Sequence, residues 1–247
     1  MQFNLVHLFK LVTRDYFKYV KYLFIFLSLV PFLILSWQFY TEQLGINPLA
    51  YLTKVTGHLV IIFLILTLLI TPLKRISSYL MTKYQLKYGK RLADWNWIIK
   101  LRRIFGLYSF YYACLHLAVY VWFDQGLEWE YIYEDILERP FIMVGVISFL
   151  ILLIMAITSF KVLIKKLKKK WRKIHMSIYP LSILCLIHYW WLSKTIESEL
   201  ILYSILTFLL LLYRILVWTH IVRIRKDDTG MEVSTRHKVP LNHKVIF

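Results

Sequence analysis

Hydrophobic residues are grouped along this 247-residue chain into six runs separated by short polar segments. A helix needs about 20 apolar residues, at about 1.5 Å each, to cross the hydrocarbon core of a bilayer. Each run approaches that length, so we predict an all-α integral membrane protein, a six-helix transmembrane bundle with both termini on the same side. The predicted spans are residues 22–40, 57–73, 104–123, 141–160, 174–192 and 200–219.

Lysine and arginine are distributed unevenly between the loops that connect these runs. Residues 74–103 carry nine basic side chains and one acid, and residues 161–173 carry eight basic side chains and no acid. Short cytoplasmic loops collect basic residues, so both loops and both termini are predicted to be cytoplasmic. The predicted organisation is a cytoplasmic segment at 1–21, a membrane domain at 22–219 and a cytoplasmic polar tail at 220–247.

The composition supports a membrane protein and limits the classes of partner that need to be considered. Hydrophobic residues make up 59% of the chain, well above the proportion in soluble domains. The net charge of +17 follows from the basic loops, which can contact anionic membrane lipids, so no nucleic acid is needed to explain it. No Gly-rich phosphate-binding motif occurs. The acidic loop 124–140 is predicted to lie on the opposite side of the membrane from the basic loops, where it would attract a basic surface of a partner protein.

Apart from His220 at the inner end of the last run, four histidines lie within the hydrophobic runs or at their ends. His116 and His188 lie at similar depths below the outer ends of the third and fifth runs, whereas His58 lies at the outer surface and His175 at the inner surface. Ionisable groups in a bilayer are costly unless they are paired or liganded, so each histidine is a candidate for function. A simple hydrogen bond to a neighbouring helix is the alternative for each of them.

His116 and His188 are the strongest candidates for binding a cofactor. Their surroundings, YYACLHLAVYVW and ILCLIHYWW, are aromatic and aliphatic and contain no carboxylate that would complete a zinc site. Two imidazoles on facing helices of a bundle suit a haem. We therefore predict that both are axial ligands of the haem iron, an arrangement that leaves no open position for oxygen and favours electron transfer.

His175 requires a separate interpretation. It precedes His188 by 13 residues, which corresponds to about 19.5 Å along an ideal helix and about 140° of rotation away from the same face. Pro180 lies between them and can kink the helix, which would reduce this offset. Two roles stay open for His175: ligation of a second haem, or contact with a haem propionate, a flavin or a quinone at the inner face.

Three arginines near the inner face carry charges suited to the anionic groups of a cofactor. Arg102 and Arg103 lie where the third run enters the membrane, and Arg214 lies near the inner end of the last run. A guanidinium group matches the oxygen atoms of a propionate or a phosphate. Arg102 and Arg103 are therefore predicted to bind a cofactor, with extension of their side chains towards lipid headgroups as the alternative.

The order and spacing of several motifs resemble the MsrQ (YedZ) family, the haem-bearing membrane subunits of bacterial methionine sulfoxide reductase systems. The resemblance covers roughly residues 44–215. It rests on RRIFGL leading into LHL, on RPF at the start of the fourth run, and on WRKIH followed 13 residues later by IHYW. A more distant resemblance connects the chain to the ferric reductase-like transmembrane domain of ferric reductases and NADPH oxidases.

This resemblance implies a b-type haem protein of the bacterial inner (cytoplasmic) membrane that also uses FMN. Its implied role is to pass electrons from the quinone pool or a cytoplasmic flavin reductase to a periplasmic, MsrP-like molybdopterin subunit that repairs oxidised proteins. The chain would then be an electron-transfer subunit rather than the catalytic subunit. The functional histidines of the family correspond to His116, His175 and His188. His58 departs from the family pattern and inherits no ligand role.

Two other classes of function stay open at the level of sequence. One is a transmembrane ferric or oxygen reductase core, which usually requires a cytoplasmic nucleotide-binding domain that the polar tail does not provide. The other is a cofactor-free transporter or assembly factor, in which the histidines only join helices.

Overall fold

The computed structural model describes residues 17–85, 95–193, 195 and 197–231, with the backbone alone described for 220–231. This part of the chain is helical and contains no strand. A six-residue π-helical segment, Val119–Asp124, extends the third helix. The helices are α1 (Phe17–Tyr40), α2 (Pro48–Lys83), α3 (Asn96–Ala118), α4 (Trp129–Glu138), α5 (Pro140–Thr158), α6 (Lys161–Leu167), α7 (Lys169–His175), α8 (Ile178–Leu192) and α9 (Ser198–Met231).

Five helical segments of the described chain are long and apolar enough to cross a membrane. They expose many large apolar side chains, as expected for surfaces that face lipid. The prediction of an all-helical, multi-pass membrane protein is confirmed at this level. The five segments are α1, α2, α3 with its π-helical extension, α5 and residues Ser198–Thr219 of α9.

The fifth predicted span, 174–192, is divided between two helices. Helix α7 ends at His175, and α8 begins at Ile178 and contains 15 residues, about 22 Å, which is shorter than the roughly 30 Å hydrocarbon core. Pro180 explains where the break falls. Its ring has no N–H to donate and clashes with the carbonyl group four residues earlier, at Met176. His175 and His188 therefore belong to separate helices.

Two helices are longer than the spans predicted from their hydrophobic runs. Helix α2 begins where Asn47 Oδ1 accepts a hydrogen bond from Ala50 N at 3.1 Å, with Pro48 in the first turn. It therefore starts nine residues before the predicted span. Helix α9 continues past the predicted boundary at residue 219 as far as Met231. Residues 1–16 of the predicted N-terminal segment and residues 232–247 of the predicted tail lie outside the described residues.

Aromatic packing joins α1, α2 and α3. The Phe63 ring of α2 stacks on Tyr112 of α3 at 5.4 Å between centroids, and Tyr112 is fully buried. The Tyr112 hydroxyl donates to Ser28 O at 2.7 Å, and the Tyr108 hydroxyl donates to Ile25 O at 2.8 Å, which anchors α1 on α3. His116 follows Tyr112 by four residues and lies on the same face of α3. The packing that orients Tyr112 therefore directs His116 towards α2.

Candidate functional site

The imidazole rings of His116 and His188 lie next to each other, although 72 residues separate them in the chain. Their centroids are 6.2 Å apart, and their planes are nearly perpendicular, at 88°. His116 comes from α3 and His188 from α8. The structure thus brings together the two histidines that the sequence places at similar depth.

His116 is held by the first turns of α2. Its Nδ1 lies 3.0 Å from Thr53 O and 3.2 Å from Thr56 Oγ1. Gly57 lies against the ring, so that a Cβ on this glycine would come within 3.2 Å of His116 Cε1. A carbonyl oxygen only accepts hydrogen bonds, so Nδ1 must carry the proton. The lone pair of the neutral ring is then on Nε2.

His188 is held in the same way by α5. Its Nδ1 lies 2.6 Å from Phe141 O, which again requires the proton on Nδ1 and leaves the lone pair on Nε2. Gly145 lies one turn further along α5, and a Cβ there would approach His188 Cε1 to 2.8 Å. Both histidines are therefore supported by a backbone carbonyl and a glycine from a neighbouring helix.

This arrangement fits a metal ion bound between the two rings. A histidine that ligates a metal through one nitrogen usually donates its other N–H to a carbonyl or carboxylate group, as both rings do here. Histidine nitrogens bind metal ions at about 2 Å, so imidazoles on opposite sides of one ion have centroids roughly 6 Å apart. Within the described ranges, no group of three or more His, Cys, Asp or Glu side chains could hold a metal ion. The pair therefore offers two imidazole rings at a spacing compatible with one metal ion, without the additional side-chain ligands of a protein-only metal site.

His175 belongs to a different cluster, at the other end of α5. Its Nε2 lies 3.2 Å from Thr158 Oγ1, and its ring packs on Trp171 at 4.2 Å between centroids. The Trp171 Nε1–H donates to Thr158 O at 3.1 Å. Thr158 and Phe141, which hold His175 and His188 respectively, are 17 residues apart on α5, about 25 Å. The two histidines of the fifth hydrophobic run therefore mark two separate sites.

Two arginines converge on one hydroxyl group. Arg102 and Arg214 each donate through Nη2 to Thr71 Oγ1, and Arg214 also lies over the Tyr179 ring at 5.8 Å. The Nε atoms of both arginines are buried and have no hydrogen-bond partner among the described residues. A single neutral oxygen does not balance two guanidinium charges, so the cluster is suited to an anionic group. Arg103, the third arginine considered from the sequence, is exposed.

A hydrogen-bonded chain next to the histidine pair could not be predicted from the sequence. His58 Nε2 lies 2.7 Å from the Tyr189 hydroxyl, and that hydroxyl donates to Glu197 Oε2 at 2.5 Å. Lys54 Nζ completes the chain at 3.0 Å from Glu197 Oε2. The Tyr189 hydroxyl, and after it Lys54, lower the pKa of Glu197 below its usual value. The sequence offered only one pointer to this chain, the position of Tyr189 directly after His188, and no indication of its partners.

The predicted acidic loop 124–140 is mostly helical, because it contains α4. Asp135 accepts hydrogen bonds from the Tyr120 hydroxyl at 3.0 Å and from Gln125 Nε2 at 2.8 Å, and pairs with Arg139 Nε at 3.1 Å. Its charge is therefore used within the fold. The other acids of this helix and its N-cap are exposed: Glu128, Glu130, Glu134 and Glu138.

Comparison with known proteins identifies the family of the chain. Residues 56–186, which include His116 but end before His188, match the family described as ferric reductase like transmembrane component. The chain is 36% identical over 203 residues to the protein-methionine-sulfoxide reductase heme-binding subunit MsrQ of Herminiimonas arsenicoxydans, covering 81% of this chain and 86% of that protein. Proteins of the same name from Xanthomonas campestris pv. campestris (strain B100) and Azospira oryzae are each 34% identical, covering 86% and 92% of this chain and 88% of each relative.

Proposed function

The chain belongs to the MsrQ family of ferric reductase-like membrane proteins, and on this premise we propose that it is the haem-binding, electron-transfer subunit of a protein-methionine-sulfoxide reductase system. It would serve a separate catalytic subunit rather than reduce the sulfoxide itself. The observation that carries the proposal is the pair of rings of His116 and His188, 6.2 Å apart and each bonded through Nδ1 to a backbone carbonyl.

The residues of the histidine pair and their neighbours determine how the protein would bind a haem. His116 and His188 would ligate the iron through Nε2, since Nδ1 carries the proton in both rings. The carbonyl groups of Thr53 and Phe141 orient the rings and increase the basicity of Nε2. When bound, a b-type haem with two histidine ligands supplies a one-electron carrier that has no open position for oxygen.

The proposed direction of electron flow is from the cytoplasm to the periplasm across the bacterial inner membrane. The charge distribution supports cytoplasmic termini, with the histidine pair near the periplasmic ends of α2 and α8. The proposed acceptor is a periplasmic, MsrP-like molybdopterin subunit. The proposed donor is the quinone pool or a cytoplasmic flavin reductase. The exposed glutamates of α4 lie on the periplasmic side in this topology and would attract a basic surface of the acceptor.

The cytoplasmic end of the domain would hold a second electron carrier. Arg102 and Arg214, joined at Thr71, are suited to the phosphate group of FMN, and the exposed Arg103 could add charge nearby. His175 would either ligate a second haem or contact a cofactor at this face. Its contact with Thr158 Oγ1 through Nε2, rather than with a carbonyl through Nδ1, differs from the arrangement of the other two histidines.

Absorption spectroscopy tests the proposed function. The protein, purified in detergent from haem-replete cells, should show a low-spin b-type spectrum when oxidised and when reduced with dithionite. His116→Ala and His188→Ala should each abolish this spectrum, whereas His175→Ala should retain it. Haem stoichiometry of the same samples decides whether His175 binds a second haem. Wild-type protein without a Soret band would overturn the proposal and favour a cofactor-free transporter or assembly factor.

A further inference from the structure

Helix α2 contacts one member of the histidine pair directly and the residue next to the other member. Thr53 O accepts the hydrogen bond of His116 Nδ1, and Gly57 packs against the same ring. The next residue, His58, bonds Tyr189, which follows His188 in α8. The segment 53–58, less than two turns of helix, therefore touches His116 and the residue beside His188.

Tyr189 is held from two directions, and both lead back to α2. Its hydroxyl donates to Glu197, so the hydrogen bond with His58 requires that His58 Nε2 carries the proton and donates. Glu197 is bound in turn by Lys54, which precedes His58 by four residues and lies on the same face of α2. The Tyr189 hydroxyl thus has a defined acceptor and a defined donor, which together fix its position.

The position of Tyr189 constrains the rotation of α8 about its own axis. Successive residues of a helix point about 100° apart, so fixing Tyr189 also fixes the direction of the Cα–Cβ bond of His188. The break at Met176 and Ser177 separates α8 from α7, so the Tyr189 anchor adds to the packing of α8 on its neighbours. On the opposite side of His188, Phe141 O bonds to the imidazole ring and not to the backbone of α8.

We infer that His58 and Tyr189 are positioning residues that set the angle between the imidazole planes of His116 and His188. This inference rests on the proposed ligation of haem by that pair. His58 has no ligand role in it. The residue acts through Tyr189, and Glu197 and Lys54 complete the anchor at the surface.

Electron paramagnetic resonance of the oxidised protein tests this inference, because the largest g value of a low-spin bis-histidine haem increases as the two imidazole planes approach perpendicular. The planes are at 88°, so almost any rotation of one ring reduces the angle. Tyr189→Phe, which removes only the hydroxyl group, and His58→Leu, which removes the donor, should both shift the largest g value downwards and broaden the signal.

Two matched variants separate positioning from a general structural effect. His58→Gln keeps an N–H donor near the position of Nε2 and should restore the wild-type g value. Tyr203→Phe removes a hydroxyl group from a ring that contacts His58 edge-on at 5.6 Å and should leave the signal unchanged. If His58→Leu loses haem altogether, restoration of haem by His58→Gln supports the inference, and failure to restore it overturns the inference.

The outcomes for positioning and for haem binding are distinct. Wild-type g values in both Tyr189→Phe and His58→Leu, at wild-type haem content, would overturn the positioning role and leave the proposed function standing. Wild-type protein that contains no haem would overturn the proposed function itself.

Discussion

Gly145 lies so close to His188 that a Cβ at this position would come within 2.8 Å of Cε1 and 2.9 Å of Nδ1. Real Cβ atoms are essentially never found at such distances from other heavy atoms. The absence of a side chain at Gly145 therefore allows α5 to support the His188 ring by direct backbone contact, as small residues often do between membrane helices.

Alanine substitutions at three glycines should affect haem binding to different extents. Gly145→Ala should displace the His188 ring, Gly57→Ala should have a smaller effect because its Cβ would lie 3.2 Å from His116 Cε1, and Gly106→Ala should have none because nothing lies within 4 Å. Overpacking typically costs about 1–3 kcal/mol, so Gly145→Ala should weaken haem binding by roughly fivefold to a hundredfold. The measurement is haem per polypeptide after purification. Equal haem content in the three variants would contradict the prediction.

Substitution of the paired arginines should reduce flavin content without removing the haem spectrum. Arg102→Met and Arg214→Met each remove a charged donor, which contributes about 1.5–3 kcal/mol to a bound anion, so FMN affinity should fall roughly tenfold or more. Arg103→Met is the matched control, because Arg103 is exposed and should have a smaller effect. The flavin released by denaturation is measured by fluorescence. Unchanged flavin in the first two variants, or no flavin in wild-type protein, would exclude this site for FMN.

Neutralising the exposed glutamates of α4 should slow association with a basic periplasmic acceptor. The combined substitution of Glu128, Glu130, Glu134 and Glu138 by Gln removes four charges that are not paired within the helix in the way Asp135 is. Electrostatic steering mainly affects the association rate, so the loss should be roughly tenfold at low salt and should disappear at high salt. The association rate is measured from the rate at which the acceptor reoxidises the haem. An association rate that is unchanged at low salt would remove the proposed role of α4.

Glu197 should stabilise the protein at neutral pH but not in acid. Its pKa is lowered from the usual 4.5 by the Tyr189 hydroxyl first and by Lys54 second. A carboxyl group with a lowered pKa in the folded state contributes stability that is complete above its unfolded pKa and is lost as the pH falls through the folded value. The Tm of wild-type protein should therefore exceed that of Glu197→Gln at pH 7, and the difference should shrink below about pH 4.5.

Two further variants show which partner of Glu197 contributes more to its lowered pKa. Tyr189→Phe should reduce the dependence of Tm on pH more than Lys54→Met does, because the hydrogen bond from Tyr189 is the larger cause of the lowered pKa. The side chain of Lys54 is also half-exposed, where water screens its charge. A difference in Tm between wild type and Glu197→Gln that is constant from pH 7 to pH 4 would contradict both expectations.

Much of the fold could be predicted because membrane spans depend on local composition. Runs of apolar residues identify the helices, and loop charges indicate a topology, without any knowledge of which helices touch. Helix lengths were less predictable. Helix α2 extends beyond its apolar run because Asn47 and Pro48 start it earlier, and the run at 174–192 is divided because Pro180 disrupts the turn at Met176.

The candidate site could be predicted in part for a similar reason. Depth in a membrane follows from position within a span, so the sequence alone could place His116 and His188 at one level. The convergence of Arg102 and Arg214 on Thr71 could not be predicted, because it joins residues up to 143 positions apart. The anchor of Tyr189 on His58 and Glu197 joins three segments in the same way.

Composition, motif order and spacing are properties of the chain alone, and they suffice to identify the helical class of this protein, its family and the histidines available to bind a cofactor. Which nitrogen of each ring carries the proton, where the fifth run breaks and which residues orient the histidine pair become known only from the folded structure. Hydrogen bonds and ring contacts depend on distances of a few ångströms between helices. Those distances are set by the packing of the whole bundle and not by any single span.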